Sequence, residues 1–176
     1  MIESQGPAAS TTAPKVRPLT TKRRADHKRA APLAPPLSLG AAGHGQVRIL
    51  IRSNADILEA RRHGRELALR LGFSSIDCTL IATAISELSR NIVLYAGHGE
   101  ICLGEDHPMG ATGIVITAVD HGPGIRDVRS ALQDGYSTSR GLGLGLPGVK
   151  RIMDEFEVTS KPRQGTTVTV KKWKSN

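Results

Sequence analysis

The sequence predicts an α/β protein, a two-layer sandwich in which helices cover one face of a mixed β-sheet. Two observations predict this class. Segments with the residue pattern of strands are separated by segments whose apolar residues repeat with the period of a helix. The elements also follow one another in the order β-α-α-β-β-α-α-β-β, without an internal repeat. All of them fall within residues 47–176, which we expect to fold as one domain.

The first strand and the first helix are marked by their residue pattern. Side chains in residues 47–51 alternate between two faces, as they do in a strand. Asp56 followed by Glu59 predicts a capping box at the start of a helix with one apolar face. Gly72 is the expected C′ residue, because glycine readily adopts the left-handed conformation in which many helices end.

The second helix is predicted to be the longest. Ser74 with Asp77 predicts a second capping box. The helix is expected from about Ile76 to Tyr95, and it should stop at Gly97. Its inner face is formed by four apolar residues at helical spacing, Leu80, Ala84, Leu88 and Ile92.

The second half of the domain alternates short elements with glycine-rich loops. Its predicted elements are strands at 100–103 and 113–119, helices near 126–134 and 147–155, and strands at 156–160 and 165–173. The strand at 113–119 leads directly into Asp120. Pro147 suits the first turn of its helix, because proline lacks the N–H that would be unpaired there. Residues 161–165 have the composition of a hairpin turn.

Charge is distributed unevenly along the chain. The 24 basic and 16 acidic residues give a net charge of +8, and residues 1–46 hold seven of the basic and two of the acidic side chains. These residues also hold six of the ten prolines and no aromatic residue. They cannot bury enough apolar surface to offset the entropy of ordering, so we expect 1–46 to be a disordered leader. Its basic cluster, 22–29, has three interpretations. It is a solvated leader segment, or it contacts nucleic acid or an acidic partner electrostatically, or it is an organellar transit peptide.

Composition argues against several classes of protein. Cys78 and Cys102 both lie in apolar runs, so a disulfide scaffold is not expected and a reduced, cytoplasmic compartment fits. No apolar run approaches the ~18–20 residues of a membrane span, so no membrane is expected as a partner. Aromatic residues make up 3% of the chain. A stacking platform for nucleic acid is therefore not expected.

The predicted second helix carries the first candidate site. Glu87 and Asn91 are four residues apart and project from the same face. Their neighbours are mostly apolar, so a carboxylate and an amide there need a polar cavity or bound partners. An exposed polar stripe on an amphipathic helix is the alternative interpretation.

The second candidate is the segment that begins with Asp120. An aspartate at the end of an apolar strand, followed by Gly122 and Gly124, can aim its carboxylate into a cleft that another backbone or a ligand approaches closely. Such an acceptor suits an exocyclic amine such as the N6 group of adenine. A plain turn is the alternative, because Asp, Gly and Pro are common turn residues.

The third candidate is the glycine-rich stretch 141–148, which leads into a helix. Backbone N–H groups in such a loop can bind an anion, although a merely flexible loop is also possible. The stretch contains G-x-G-x-x-G, but no strand precedes it and no acidic residue stands about 20 residues later, as a dinucleotide site would need. Val149 occupies the position of the P-loop lysine, which argues against that site as well.

The order of these motifs is more specific than any one of them. The motifs form one series: E-x-x-x-N on a helix, D-x-G-x-G after a strand, a glycine-rich stretch, and G-T on the last strand. This series resembles the GHKL (Bergerat-fold) ATPases, the family that includes gyrase, Hsp90, histidine kinases and MutL. The stretches that carry the resemblance are 85–97, 120–125, 134–138 and 143–156. Within the family, 47–176 is most similar to the small anti-sigma-type serine/threonine kinases, which include the switch kinases of the stressosome.

The resemblance implies a site for ATP and Mg²⁺. Asn91 would ligate Mg²⁺ between the ATP phosphates, and Glu87, one turn earlier, would be the general base. Asp120 would accept a hydrogen bond from the N6 group of adenine, and Thr166 would lie near the same base through a water. The family pattern also assigns five glycines, Gly122 and Gly124 to the pocket floor and Gly141, Gly143 and Gly145 to a loop over the triphosphate.

The resemblance also implies protein partners. The phosphoryl acceptor would be a serine or threonine of a STAS-domain antagonist or stressosome protein. The chain would also bind and activate a PP2C-type phosphatase, so that its output is a switch between partners. The alternative is a non-catalytic anti-sigma factor of the same fold that sequesters a sigma factor. The presence of both Glu87 and Asn91 favours the enzyme.

Overall fold

The computed structural model describes residues 46–133 and 145–175. In chain order the elements are β1 (Val47–Ile51), α1 (Asn54–Arg70), α2 (Ser75–Asn91), a π-helical turn (Ile92–Ala96), β2 (Gly99–Asp106), a 3-10 turn (Pro108–Gly110), β3 (Gly113–Asp120), α3 (Val128–Ala131), α4 (Gly145–Ile152), β4 (Glu155–Lys161) and β5 (Gly165–Trp173). Apart from Gln46, the predicted leader 1–46 lies outside the described residues, as do Gly141 and Gly143.

Five strands form one sheet in the order β1-β2-β3-β5-β4. All four pairings are antiparallel. The predicted α/β sandwich is therefore confirmed, but the prediction of a mixed sheet is wrong. Two helices stand between β1 and β2, so the chain reverses direction once more than in a single-helix crossover and β2 returns antiparallel to β1. β5 lies between β3 and β4 and separates these two strands, which run in the same direction.

The core lies between the sheet and the helices α1 and α2. The side chains of Ile51, Ile101, Ile116 and Val170 on the inner face of the sheet are fully buried. Burial of each such side chain contributes roughly 1.5–3 kcal/mol to stability. A Cβ on Gly64 of α1 would overlap the Cδ1 atom of Ile85 on α2, so glycine at this position lets the two helices approach closely.

The first helix begins one turn earlier than predicted. Its N-cap is Ser53, whose Oγ accepts the Asp56 N–H, while the Asp56 carboxylate accepts the Ser53 N–H at 2.8 Å. Asp56 is therefore the N3 member of the capping box and not its first residue, and Glu59 takes no part in it. The predicted cap at Ser74 is confirmed, since its Oγ accepts the Asp77 N–H at 3.1 Å.

The second helix changes its winding near its end. The α-helical part stops at Asn91, and residues Ile92–Ala96 form a π-helical turn where a continuous α-helix was predicted. Gly97, at φ +78°, ends the turn as predicted, and its N–H donates to the Ile92 carbonyl at 2.9 Å. Single π-helical turns of this kind occur frequently at functional sites.

The remaining element bounds agree with the prediction in position but not always in length. β2 is longer than 100–103, α3 is shorter than 126–134, α4 spans 145–152 and not 147–155, and β4 spans 155–161 and not 156–160. β2 is longer because all eight of its residues pair with β3, including its polar end. Within the described residues, no helix combines the length and the apolar character that crossing a membrane requires.

Candidate functional site

Four residues at one end of the sheet form a row across four strands. Gly99 of β2 lies opposite Asp120 of β3, Asp120 opposite Thr166 of β5, and Thr166 opposite Ser160 of β4. Residues two apart in a strand share a face, so Asp120 lies on the same side of the sheet as the buried Ile116. The row is therefore on the face that the helices cover, at the end of the core.

Backbone N–H groups hold the half-buried carboxylate of Asp120. The Gly122 N–H donates to Oδ1 at 2.8 Å, and the Thr166 N–H also hydrogen-bonds to the carboxylate. Burial raises the pKa of Asp120 above its ordinary value, although these N–H groups and the imidazoles of His121 and His98 act in the opposite direction. A desolvated carboxylate gains from a further hydrogen-bond donor, which an exocyclic amine would supply.

Gly122 packs directly against the π-helical turn. A Cβ built on it would stand 2.6 Å from the Cβ and 2.8 Å from the Cα of Ala96, and 3.1 Å from Oδ1 of Asp120. Only glycine fits between these atoms without movement of the backbone. The segment that follows Asp120 thereby lies beside the helix that carries Asn91.

Gly124 lies against the turn between β4 and β5. Its φ of +69° is in the left-handed region, and a Cβ there would overlap the carbonyl of Lys161. The Arg163 N–H donates to the Pro123 carbonyl at 2.7 Å. The segment after Asp120 is thus fixed on one side by the π-helical turn and on the other by the β4–β5 turn.

Ser160 joins this group of residues, although no sequence motif marks it. Its Oγ lies 2.8 Å from the Ile125 nitrogen, 3.0 Å from the Gly165 carbonyl oxygen and 2.9 Å from Oγ1 of Thr166. The hydroxyl joins the segment after Asp120 to the start of β5 and to the predicted site residue Thr166, which is buried. The predicted hairpin turn at 161–165 brings Ser160 close to Thr166, but no local pattern could have found the contact with Ile125, which is 35 residues away along the chain.

Glu87 is a buried carboxylate on the inner side of α2. Its side chain is only 8% exposed. Oε2 accepts the Gly145 N–H at 3.2 Å, and Oε1 lies 3.5 Å from Nη1 of Arg90. The predicted loop residue Gly145 is the first residue of α4, so α4 begins against this carboxylate. The exposed polar stripe considered for this helix is ruled out at Glu87.

Asn91 is the last residue of α2 and lies one turn beyond Glu87. Its side chain is half-buried and hydrogen-bonds to no other residue in the ranges 46–133 and 145–175. Its amide oxygen is therefore available to a ligand, and an amide oxygen is a suitable donor for a hard cation.

The described residues contain no group of three or more His, Cys, Asp or Glu side chains that could hold a metal ion. A Mg²⁺ ion at Asn91 would therefore take its other ligands from nucleotide oxygens and water, as Mg²⁺ at phosphate sites commonly does. The donor set fits a metal that arrives with a nucleotide and does not fit a protein-only metal centre.

The structure brings the described site residues together in two groups. One group surrounds the row across the sheet and holds Asp120, Gly122, Gly124 and Thr166; the other lies at α2 and holds Glu87, Asn91 and Gly145. The contact between Gly122 and Ala96 joins them. Gly141 and Gly143 fall outside the described residues, and the ligand contacts of all nine residues stay predictions.

Comparisons with known proteins identify relatives along most of the domain. Residues 76–176 match the family described as histidine kinase-, DNA gyrase B-, and HSP90-like ATPase. The chain is 50% identical over 125 residues to the serine/threonine-protein kinase RsbT of Bacillus subtilis (strain 168), which covers 71% of this chain and 94% of that protein. It is 31% identical over 107 residues to the anti-sigma F factor of the same strain, which covers 54% of this chain and 69% of that protein.

A solved structure shares the fold. The crystal structure of the RsbU and RsbW domains of a Mycobacterium tuberculosis protein superimposes with a TM-score of 0.54 at 17% sequence identity. The match covers 75% of this chain and 33% of that chain. At this identity the likeness supports the fold alone.

Proposed function

This chain belongs to the family of histidine kinase-, DNA gyrase B- and HSP90-like ATPases, and on that premise we propose that it transfers the γ-phosphoryl group of ATP to a serine or threonine of a partner protein. The similarity to a serine/threonine-protein kinase over nearly the whole of that relative supports the activity. Two unpaired, buried cysteines are consistent with action in the cytoplasm, which we include in the proposal.

The observation that carries the proposal is the contact between Gly122 and Ala96. Gly122 holds the Asp120 carboxylate through its N–H, and Ala96 ends the helical segment that continues from Asn91. An acceptor suited to an adenine amine and an amide suited to a phosphate-bound cation therefore lie on two segments in direct contact. This arrangement supports a single site that binds both ends of a Mg·ATP molecule.

The adenine end of the site consists of Asp120 and Thr166. Asp120 accepts the N6 hydrogen, and its two backbone hydrogen bonds fix the carboxylate before the ligand arrives. Preorganisation of this kind lowers the entropy lost on binding. Gly122 and Gly124 let the segment after Asp120 pack against Ala96 and the Lys161 carbonyl, and this segment forms the floor of the pocket beneath the base.

The transfer end of the site consists of Glu87 and Asn91. Glu87 takes the proton from the acceptor hydroxyl as that oxygen attacks the γ-phosphorus and ADP leaves. The Gly145 N–H and the Arg90 guanidinium hold the carboxylate in one orientation. Asn91 would hold a Mg²⁺ ion, which would neutralise charge on the phosphate oxygens. Positioning contributes much of the rate in such in-line transfers.

We further propose that the acceptor is a STAS-domain protein of a stressosome-type assembly. By the same analogy the chain binds and activates a PP2C-type phosphatase, and phosphorylation decides which partner it holds. The relatives named as kinase and as anti-sigma factor both support a regulator that works through protein partners. Sequestration of a sigma factor without phosphoryl transfer is the second candidate, which the anti-sigma relatives favour.

Incubation with γ-labelled ATP and a purified STAS-domain candidate tests the proposal. We expect label on a serine or threonine of that protein, and we expect Glu87→Ala and Asn91→Ala to abolish the transfer. Glu157→Ala is a matched control, because Glu157 is exposed on β4. Capture of a sigma factor at micromolar affinity with no label on any STAS protein would favour the second candidate.

A further inference from the structure

The Ser160 hydroxyl touches three groups with different hydrogen-bonding capacity. The Ile125 N–H, at 2.8 Å, can only donate. The Gly165 carbonyl, at 3.0 Å, can only accept. The Thr166 hydroxyl, at 2.9 Å, can do either. The direction of this last hydrogen bond therefore depends on what the first two require.

A serine hydroxyl has one proton and two lone pairs. Its proton goes to the Gly165 carbonyl, because a carbonyl cannot donate. One lone pair accepts the Ile125 N–H. The remaining lone pair is left for Thr166, so Thr166 donates and its proton points at Ser160. No other assignment satisfies all three contacts, and these groups are partly buried, so a contact left unmade costs free energy.

We propose that Ser160 is a specificity-determining residue, which fixes Thr166 as a hydrogen-bond acceptor toward the bound purine. The inference rests on the nucleotide site proposed above. With its proton committed to Ser160, Thr166 turns only lone pairs toward the ligand. The neighbouring Asp120 carboxylate also accepts, so the two side chains opposite each other on β3 and β5 present no donor to the base.

A water between the two side chains would likewise offer the ligand no hydrogen-bond donor. A water that bridges Thr166 and Asp120 donates both of its protons to these acceptors, so it too presents only a lone pair to the ligand. A 6-amino purine such as adenine donates there and is satisfied. At position 6, a 6-keto purine instead places an acceptor against acceptors, and this unmatched contact lowers its affinity relative to the 6-amino purine.

Binding of ADP and of IDP, which carries a 6-keto purine, tests the inference by calorimetry. We expect wild-type protein to prefer ADP. In Ser160→Ala the Thr166 proton is free to turn toward the ligand, so we expect the ADP-to-IDP preference to fall about three- to tenfold, the value of one hydrogen bond. Ser160→Thr keeps the hydroxyl and should keep the preference. Thr159→Ala is the matched control, because Thr159 is the adjacent, exposed β4 residue on the opposite face.

Thr166→Val tests the same inference without altering Ser160. It removes the acceptor, so the preference should fall, and adding Ser160→Ala to it should change the preference no further. An unchanged preference in either single variant, or equal losses for ADP and IDP in Ser160→Ala, would overturn the inference alone. If Ser160→Ala does not fold, Thr166→Val decides. Failure of the wild-type protein to bind ADP would overturn the proposed function as well.

Discussion

Gly122 lies so close to Ala96 that a Cβ built on the glycine would stand 2.6 Å from the alanine Cβ. The same Gly122 donates its N–H to the Asp120 carboxylate at 2.8 Å. One residue therefore sets both the distance between the two halves of the site and the orientation of the proposed adenine acceptor.

Gly122→Ala is expected to lower the affinity for ADP by about 10- to 100-fold. The added methyl group meets backbone and side-chain atoms of Ala96 that cannot move independently, and overpacking of this kind costs about 1–3 kcal/mol. The segment must shift, and the hydrogen bond to Asp120 is lost with it. Calorimetric titration with ADP measures the loss, and thermal unfolding measures the accompanying change in stability.

Gly104→Ala is the control for that substitution. Gly104 lies in β2, and no heavy atom stands within 4 Å of a Cβ built on it. Its affinity for ADP should equal that of the wild type. Equal losses in both variants would show that the Gly122–Ala96 contact does not govern the site. Ala96→Gly removes one of the two close contacts and should restore part of the affinity lost in Gly122→Ala.

Glu87→Gln is expected to separate chemistry from binding. General-base catalysis contributes about 10²- to 10⁴-fold, so the transfer rate should fall by at least about 100-fold. The glutamine oxygen can still accept the Gly145 N–H, so α4 keeps its place and the affinity for ADP should change by less than about threefold. Single-turnover transfer and equilibrium titration measure the two quantities.

Glu157→Gln, at an exposed residue of β4, should leave both quantities unchanged. If Glu87→Gln weakened ADP binding as much as it slowed transfer, Glu87 would be a structural residue and not the base. If transfer continued at the wild-type rate, another group would have to accept the proton.

Parts of the site that depend on local sequence could be predicted. Glu87 and Asn91 share a face of α2 because the helical period dictates it, and Asp120 ends β3 because the apolar run stops there. Gly97 ends the helical segment for a similar reason, since the chain needs a left-handed residue at that point.

Parts that depend on distant pairing could not be predicted. Asp120 and Thr166 lie opposite each other only because β5 pairs with β3 as well as with β4, and strand order leaves no mark on residue alternation. The antiparallel direction of all four strand pairings could not be predicted for the same reason. The sequence of the π-helical turn after Asn91 suits an α-helix equally well, so local propensity does not distinguish the two conformations. The turn contacts Gly122, a tertiary contact that the sequence does not reveal.

Ser53→Ala is expected to destabilise the domain without touching the site. The Ser53 hydroxyl accepts the Asp56 N–H and donates to the Asp56 carboxylate at 2.9 Å, and loss of an N-cap of this type costs about 1 kcal/mol. Urea unfolding measures the cost. Ser75→Ala is the control, because the Ser75 hydroxyl has no hydrogen-bond partner among the described residues. Reduced phosphoryl transfer by the folded Ser53→Ala variant would contradict the expectation.

Asp120→Asn is expected to abolish tight ADP binding while leaving the nucleotide-free protein at least as stable as the wild type at pH 7. Burial raises the pKa of Asp120 in the folded state above its unfolded value of about 3.9. The folded state therefore binds this proton more tightly, and the ionised carboxylate opposes folding at neutral pH. Because the group is half-exposed, solvent screening keeps the gain on substitution small.

The stability difference between Asp120→Asn and the wild type should depend on pH. As the pH falls through the folded-state pKa toward the unfolded value, wild-type Asp120 takes up its proton and its cost to stability disappears, so the advantage of Asp120→Asn should shrink. Asp127 provides a control of opposite sign, because its hydrogen bonds with Ser130 lower its pKa. Asp127→Asn should lose stability at pH 7, and that loss should shrink as the pH falls through the lowered pKa. Urea unfolding from pH 7 down to about pH 3 measures the stability of both variants. If Asp120→Asn were less stable than the wild type at pH 7, the backbone hydrogen bonds of the Asp120 carboxylate would outweigh the cost of its desolvation.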